Sequence, residues 1–203
     1  MTPRIIARQL SWPKGLLGGL IGRLMNWHNA SMNAFVVRQL DVKPSDRILE
    51  IGFGGGVILG RLIEGAAFVC GVDRSGDMVR CAGSRFSGAV RTGRADFKEA
   101  NVEALPFANE SFAKACTVNT IYFWRSLEAG FREIHRVLRP GGRLVVGFLP
   151  KDRMDRLGYP SDIFTTREPG DVLCRIHRGE RGTARTCDTM ECDRRPALGM
   201  PLS

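Results

Sequence analysis

A cluster of glycines follows a short apolar run about a quarter of the way along the chain. Residues 47–59 read RILEIGFGGGVIL, and four of the five positions from 52 to 56 are glycine. Glycine loses more backbone freedom on folding than any other residue, so this cluster indicates a sharp turn or a close approach to a ligand. A glycine-rich turn between a strand and a helix presents its N–H groups to a ligand. We therefore predict a ligand-binding loop between a buried strand and a helix.

Apolar runs and helical spacings alternate on both sides of this loop. The pattern predicts helices over residues 16–40 (with a break near 27–29), 57–64, 75–84 and 127–137, and strands over 48–51, 68–72, 113–118 and 143–148, with turns at 44–46 and 139–142. Strands that alternate with helices are typical of a parallel sheet covered on both faces. The expected fold is therefore a doubly wound, Rossmann-like α/β sheet, whose ligands bind at the carboxyl ends of its strands.

The composition is that of an ordinary globular protein, with 43% hydrophobic and 25% charged residues among 203. No apolar run reaches the roughly 18 residues that a membrane span needs. The N-terminus lacks a cleavable signal pattern, so we expect a cytoplasmic protein. The six cysteines form no CxxC pair and have no histidines at zinc-ligand spacing, which predicts no metal site and reduced thiols.

The chain is basic, with a net charge of +9, and residues 1–47 hold seven basic residues against two acidic ones. Such a segment attracts nucleic acid, anionic lipid or an acidic substrate. A plain arginine-rich solvated surface explains the same charge, and we favour that interpretation. An RNA or lipid-surface binder ranks last, since the segment interleaves charge with leucine and glycine and lacks exposed aromatic clusters.

Two acidic residues indicate what the loop holds. The dinucleotide fingerprint G-x-G-x-x-G would require glycine at position 57, where Val57 stands, so a nicotinamide dehydrogenase is disfavoured. Glu50, two residues before the first glycine, suits a ligand that is cationic at this point, such as an amino acid ammonium group. Asp73, at the end of the next predicted strand, can accept hydrogen bonds from both hydroxyls of a ribose.

Together with three later segments, these residues resemble the class I S-adenosylmethionine-dependent methyltransferases, in the branch of quinone and small-molecule methyltransferases. The resemblance covers about residues 46–150 and rests on five segments in order: LEIGFGGG, GVDRSGDMV, NVEALPF, NTIYFW and EIHRVLRPGGRLVVG. It implies S-adenosylmethionine as the cofactor. One departure is Ala113, where members of the family commonly have aspartate in support of the strand, and we expect cofactor binding to survive the change.

The resemblance also implies a role for each matched residue. Gly52, Gly54 and Gly56 would pass under the amino acid part of the cofactor, and Glu50 would organise that loop. Asp73 would bind the ribose, with Arg74 and Met78 flanking the adenine. Asn101 would accept from the adenine amine, and the N–H of Val102 would meet the ring. Asn119, directly after the strand predicted at 113–118, would line the sulfonium end.

The segment at residues 119–124 bears on the methyl acceptor. Its NTIYFW sequence lacks the Pro-Pro-Tyr of methyltransferases that act on exocyclic amines, and no Pro-Cys pair is present for attack on a pyrimidine. Tyr122, Phe123 and Trp124 suggest an apolar wall for a small-molecule or lipid-like acceptor, and a place in the core explains two of the three equally well. His28 and His135 are the possible bases, and His135 is expected to be structural.

The last thirty residues do not resemble the family. Residues 174–203 carry three cysteines, six arginines and four acids, with no Val, Phe, Tyr or Trp, and we draw no strand there. One hypothesis is a shifted reading frame near residue 174. We expect a helical lid at 1–45, a methyltransferase core at 46–173 and a disordered tail at 174–203, with the family's seven-stranded sheet lacking its last two strands. The alternative to an active enzyme is a truncated cofactor-binding relic.

Overall fold

The computed structural model of the chain describes residues 30–166 and the backbone of 183–187. Its helices are α1 (Ala30–Leu40), α2 (Val57–Gly65), α3 (Gly76–Arg85), α4 (Ser87–Arg91), α5 (Leu127–Val137) and α6 (Lys151–Leu157), with one 3₁₀ turn at Ile121–Phe123. Its strands are β1 (Arg47–Ile51), β2 (Phe68–Asp73), β3 (Ala95–Glu99), β4 (Phe112–Val118), β5 (Leu138–Gly147) and β6 (Thr183–Cys187).

The strands form one parallel sheet in the order β3-β2-β1-β4-β5-β6. The chain leaves β1 toward β2 on one side and returns through β4 on the other, so the order reverses between β1 and β4. Ligands of open α/β sheets bind at this reversal, beyond the carboxyl ends of the strands. The predicted doubly wound α/β sheet is confirmed.

Each face of the sheet carries its own apolar layer. Leu49 and Ile51 point to the face covered by α5 and α6, and Ile48 points to the face covered by α1, α2 and α3. Successive strand residues alternate between the two faces of the sheet. A strand buried on both faces therefore has apolar residues at consecutive positions, as the sequence shows for β1. Glu50 is the exception within β1, since it is a buried carboxylate on the second face.

The described part of the leading segment belongs to the core. In α1, the side chains of Met32, Val36 and Leu40 are buried in the layer over the sheet. A Cβ at Gly147 would lie 2.9 Å from Val36 Cγ2, so α1 crosses close to the end of β5. Residues 1–29, where the rest of the expected lid lies, are outside the described residues, as is His28.

Two strands differ from the sequence prediction. Strand β3 was not predicted, since its five residues Ala-Asp-Phe-Lys-Glu are mostly charged and half-exposed at the edge of the sheet. The turn predicted at 139–142 lies within β5, where the pairing with β4 moves from Phe112–Leu138 to Lys114–Arg143. The extra residues bulge out of the ladder, and Gly141 takes a φ of 73° to allow it. Strand β4 forms with Ala113 in place of the family's aspartate.

The prediction of no strand after residue 174 was wrong for β6. Thr183 to Cys187 pair in parallel with Arg143 to Gly147, which adds a sixth strand. The N–H and C=O groups along β5 would otherwise be unpaired, and backbone pairing tolerates many sequences. Two of the five residues are β-branched threonines, which favour strands. The rest of the tail lies outside the described residues.

Within residues 30–166 and 183–187, no helix combines the length and the hydrophobicity that crossing a membrane requires. Cys70, Cys81 and Cys116 are reduced thiols, of which Cys81 is exposed and the other two are buried.

Candidate functional site

The glycine loop after β1 depends on left-handed backbone at alternate positions. Gly52, Gly54 and Gly56 have φ values of 68°, 48° and 67°, a region that costs other residues roughly 1–2 kcal/mol each. A Cβ at Gly52 would collide with the methyl group of Thr120, whereas a Cβ at Gly54 would meet no heavy atom within 4 Å. The loop is therefore packed at its first glycine and faces open space at its second, where a ligand can approach the backbone.

Asp73 joins this loop to the end of β2. Its Oδ2 accepts the Gly54 N–H at 2.8 Å and its Oδ1 accepts the Ser75 N–H at 2.9 Å. Burial raises the pKa of Asp73 above its ordinary value, although these backbone donors act in the opposite direction. A carboxylate has about four acceptor sites, so each oxygen can also accept a hydrogen bond from a ligand hydroxyl.

Glu50 is buried with its hydrogen-bonding capacity incompletely used. Its Oε2 has no hydrogen-bond partner among the described residues, and the side chain is only 5% exposed. Burial, followed by the nearby charge of Asp73, raises the pKa of Glu50 to about 8. A buried polar atom without a partner destabilises a fold by roughly 1–3 kcal/mol. A cationic hydrogen-bond donor bound beside Glu50 would remove this cost.

The end of β4 lies against the same loop. The Thr117 hydroxyl is within hydrogen-bonding distance of the Ile51 carbonyl, at 2.9 Å, and of the Thr120 hydroxyl, which fixes the chain that leaves β4 beside the chain that leaves β1. Asn119 lies between Thr117 and Thr120 in the chain and has a φ of 56°. Its N–H donates to the Gly147 carbonyl at 2.8 Å. Asn119 is therefore held at the reversal of the strand order.

The remaining matched residues follow β2 and β3. Arg74 is half-buried, and its guanidinium carbon lies 5.5 Å from the centroid of the Phe123 ring. Asn101 is exposed, whereas the side chain of Val102 is buried in the core. Met78 is only 4% exposed and packs in the layer beneath α3. The structure thus brings Glu50, Asp73 and the glycines together and places Met78 among core residues.

A polar clamp on the loop after β3 escaped the sequence analysis. The Glu133 carboxylate, on α5, accepts the Leu105 N–H at 2.8 Å and pairs with Arg136. The Arg136 guanidinium in turn donates to the carbonyls of Leu105 and Phe107 at 3.0 and 2.7 Å. Two segments of the resemblance, NVEALPF and EIHRVL, are therefore joined by direct bonds. The sequence feature that could have indicated this clamp is the spacing of Glu133 and Arg136, three residues apart on one helix.

The aromatic residues after β4 divide between core and surface. Trp124 is buried against Phe131, and a Cβ at Gly130 would approach its ring to 2.7 Å. Tyr122 is also buried, while Phe123 is partly exposed. Of the predicted apolar wall, Phe123 is the member that a bound molecule can reach. His135, on α5, has a buried Nε2 with no partner among the described residues.

Residues 49–146 match the family described as methyltransferase domain. These residues form a methyltransferase domain of the S-adenosylmethionine-dependent class. The match runs from β1 to the end of β5, so it contains the glycine loop, Asp73 and Asn119. The family and the fold that the sequence resemblance implied are confirmed.

Curated relatives of this methyltransferase domain match it at modest identity. The uncharacterized methyltransferase YdaC of Bacillus subtilis is 27% identical over 135 residues, which cover 66% of this chain and 72% of the relative. The ubiquinone/menaquinone biosynthesis C-methyltransferase UbiE of Geotalea daltonii is 29% identical over 119 residues, covering 57% and 51%. The chain thus aligns with about half the length of the quinone methyltransferase.

The fold also matches solved structures. The YcgJ protein of Bacillus subtilis superposes with a TM-score of 0.63 at 22% identity, covering 75% of this chain and 68% of that chain. This likeness concerns the fold alone.

The site residues of the methyltransferase domain fit S-adenosylmethionine, which is the cofactor of its family. The unsatisfied Glu50 Oε2 suits the ammonium of the methionine part, since it is a buried acceptor that lacks a donor. The open space at Gly54 allows the ligand to approach the backbone, and Asp73 offers acceptor sites for ribose hydroxyls.

Proposed function

We propose that this protein transfers the methyl group of S-adenosylmethionine to a small-molecule or lipid-like acceptor. The observation that carries the proposal is the pair of buried carboxylates, Glu50 and Asp73, beside three left-handed glycines at the reversal of the strand order. Every residue of this site lies between Glu50 and Asn119, ahead of the tail whose sequence departs from the family.

Each residue has a binding task in this proposal. The Glu50 carboxylate accepts from the ammonium group, and Asp73 accepts from the two ribose hydroxyls. The Asn101 side chain accepts from the adenine amine and the Val102 N–H meets the ring, in the loop whose Leu105 backbone is bound by Glu133 and Arg136. Asn119 and the glycine loop enclose the sulfonium end, with Arg74 beside the adenine.

The cofactor supplies an activated methyl group, so the protein need only align the acceptor with it and keep water away. A general base is required only when the attacking atom must lose a proton. Burial raises the pKa of Tyr122 above its ordinary value, so this phenol stays protonated and does not act as a base.

Two observations support an apolar acceptor. Phe123, four residues after Asn119 in the chain, is partly exposed, with the half-buried Arg74 over its ring. The relative from Geotalea daltonii is named for methylation in ubiquinone and menaquinone biosynthesis, which supports a ring that carries a lipid chain. His28 remains a candidate base outside the described residues.

The test is calorimetric titration of the full chain with S-adenosylhomocysteine. We expect saturable binding that weakens at least about 100-fold in Asp73→Ala, because two hydrogen bonds to a charged acceptor contribute roughly 1.5–3 kcal/mol each. Asp96→Ala removes an exposed carboxylate from the neighbouring strand and should bind like the wild type. Absence of binding by a folded wild-type protein would refute the proposal.

The acceptor class is tested separately by release of S-adenosylhomocysteine from S-adenosylmethionine. The two probes are a soluble hydroquinone and the same ring carrying an isoprenoid chain, and we expect faster turnover of the second. If neither is methylated while the titration succeeds, the ring acceptor is wrong and the cofactor site stands.

A further inference from the structure

Asn119 occupies a backbone conformation that fixes the direction of its Cα–Cβ bond. Its φ of 56° lies in the left-handed region, where asparagine is several-fold enriched among non-glycine residues. Its N–H is bound to the Gly147 carbonyl at the end of β5, and its neighbour Thr120 packs against Gly52 of the glycine loop. The backbone is thus fixed, and only the side-chain torsions remain to be restrained.

The hydroxyl group of Tyr122 supplies that restraint. It lies 3.2 Å from Asn119 Oδ1 and 3.0 Å from the Leu149 carbonyl, and it accepts the Leu149 N–H. A phenol has one proton to donate, which these two oxygens share. The hydroxyl therefore connects the side chain after β4 to the backbone after β5.

Packing alone does not require this hydroxyl. The Tyr122 ring lies with its centroid 6.0 Å from those of Phe123 and Phe164, in an aromatic cluster that a phenylalanine would complete equally well. A buried hydroxyl must be hydrogen-bonded to avoid a desolvation cost, and here its partners include a residue of the cofactor site. The sequence analysis placed Tyr122 in the wall for the acceptor, whereas the structure buries it behind Asn119.

We propose that Tyr122 is a positioning residue that orients the Asn119 carboxamide toward the reacting methyl group. The Asn119 oxygen accepts from Tyr122 through one lone pair and presents the other to the positive sulfonium end of the cofactor. Loss of the hydroxyl lets the carboxamide rotate, while the ring keeps its place in the aromatic cluster. The inference rests on the proposed function, since it assumes that S-adenosylmethionine binds beside Asn119.

The test compares two ligands that differ only at the reacting end. S-adenosylmethionine and S-adenosylhomocysteine share every group except the methyl and the positive charge, so the ratio of their dissociation constants reports on what faces the sulfonium. We expect Tyr122→Phe to weaken S-adenosylmethionine relative to S-adenosylhomocysteine by about threefold to tenfold, the range of one hydrogen bond.

Asn119→Gly should change the ratio in the same direction, because glycine keeps the left-handed backbone and removes the carboxamide. The double variant should be no worse than Asn119→Gly alone, since residues that act through one another are not additive. Tyr159→Phe makes the same chemical change in the same aromatic cluster, where Tyr159 packs on Phe164, and should leave the ratio unchanged.

The outcomes separate the two proposals. If the folded wild-type protein binds neither ligand, the proposed function fails and this inference fails with it. If it binds both, then an unchanged ratio in Tyr122→Phe, an equal loss for both ligands, or additive effects in the double variant would overturn the positioning role. If Tyr122→Phe does not fold, an unchanged ratio in Asn119→Gly overturns it, and a higher dissociation constant for S-adenosylmethionine relative to S-adenosylhomocysteine supports it.

Discussion

Two buried carboxylates stand at opposite ends of β1, and their surroundings differ completely. Asp46, just before the strand, is 7% exposed and accepts the Lys43 N–H at 2.7 Å, while Lys114 Nζ pairs with it at 2.7 Å. Glu50, near the other end, is 5% exposed, and its Oε2 has no partner among the described residues. Two carboxylates of similar burial thus differ in their partners, since Asp46 Oδ2 binds two donors and Glu50 Oε2 binds none among the described residues.

The difference shows that the two edges of the sheet have different roles, one in stability and the other in ligand binding. At the amino edge, the Asp46 backbone carbonyl also accepts the N–H groups of Ala67 and Phe68, so that edge holds the strands together. At the carboxyl edge, left-handed glycines, a left-handed Asn119 and a carboxylate oxygen with no partner in the described part of the chain each cost stability. Such costs persist where the surrounding structure enforces them, and they concentrate at binding sites.

The largest effect that distinguishes the two edges should come from Asp46→Ala. Removing one partner of a mostly buried ion pair leaves the Lys114 ammonium with the Asp41 carbonyl but without the Asp46 carboxylate, and we expect a loss of about 3 kcal/mol in the free energy of unfolding. Denaturant unfolding measures this loss. Asp155→Ala breaks an exposed pair with Lys151 and should cost less than about 0.5 kcal/mol.

If Asp46→Ala weakens S-adenosylhomocysteine binding in the folded protein as strongly as Asp73→Ala, the two edges are not separate in function. We expect its affinity to remain within about twofold of the wild type, since the changed site lies at the other end of the strand.

The next effect is a pH dependence that belongs to Glu50. Its pKa is raised from the ordinary 4.5 to about 8, so the folded state holds the proton more tightly than the unfolded state. Its contribution to stability is then fully present below pH 4.5 and is lost as the pH rises toward 8. Relative to Glu50→Gln, the wild type should lose about 1.4 kcal/mol of stability for each pH unit in that window.

Unfolding curves of both proteins at pH 5.5, 6.5 and 7.5 measure this difference. Burial raises the pKa of Asp73 too, so the slope of the wild type alone is not specific to Glu50, and the comparison with the glutamine variant isolates it. If the free energies of unfolding of the wild type and Glu50→Gln changed equally with pH, Glu50 would have its ordinary pKa in the folded protein. Glu50→Gln should also bind S-adenosylhomocysteine more weakly, although it is more stable at neutral pH.

The smallest change in stability compares two glycines. Gly54 at the carboxyl edge and Gly93 before β3 at the amino edge have φ values of 48° and 68°, and a Cβ at either position meets nothing within 4 Å. Alanine should therefore cost about 1–2 kcal/mol at both positions. Only Gly54→Ala should reduce the affinity for S-adenosylhomocysteine, by at least about tenfold, because its methyl group enters the ligand's space. Equal affinities in the two variants would contradict a cofactor beside the loop.

Local sequence patterns were enough to predict most of the core and the main residues of the site. The apolar run before the glycines predicted β1, and the periodicity at 127–137 predicted α5 with its observed bounds. The glycines were identifiable because few other residues adopt positive φ at low cost. Glu50 and Asp73 were identifiable by their fixed distance from the loop, since each ends or nearly ends a strand that the sheet aligns at one edge.

Only the tertiary structure decided which side chains meet. Strand β3 reads as polar because it lies at an edge, and β6 forms because β5 offers unpaired backbone groups, which no local pattern records. The burial of Tyr122 and Trp124, the unsatisfied oxygen of Glu50 and the clamp by Arg136 each depend on contacts between segments far apart in the chain. The sequence by itself determined the strands, the loop and the residue types at the carboxyl edge, because these follow from backbone preferences and hydrophobic spacing. Desolvation and hydrogen-bond partners depend on distances that exist only once the chain has folded. The tertiary structure alone therefore decided which of those side chains have hydrogen-bond partners among the described residues and which, like Glu50, have an oxygen that lacks one.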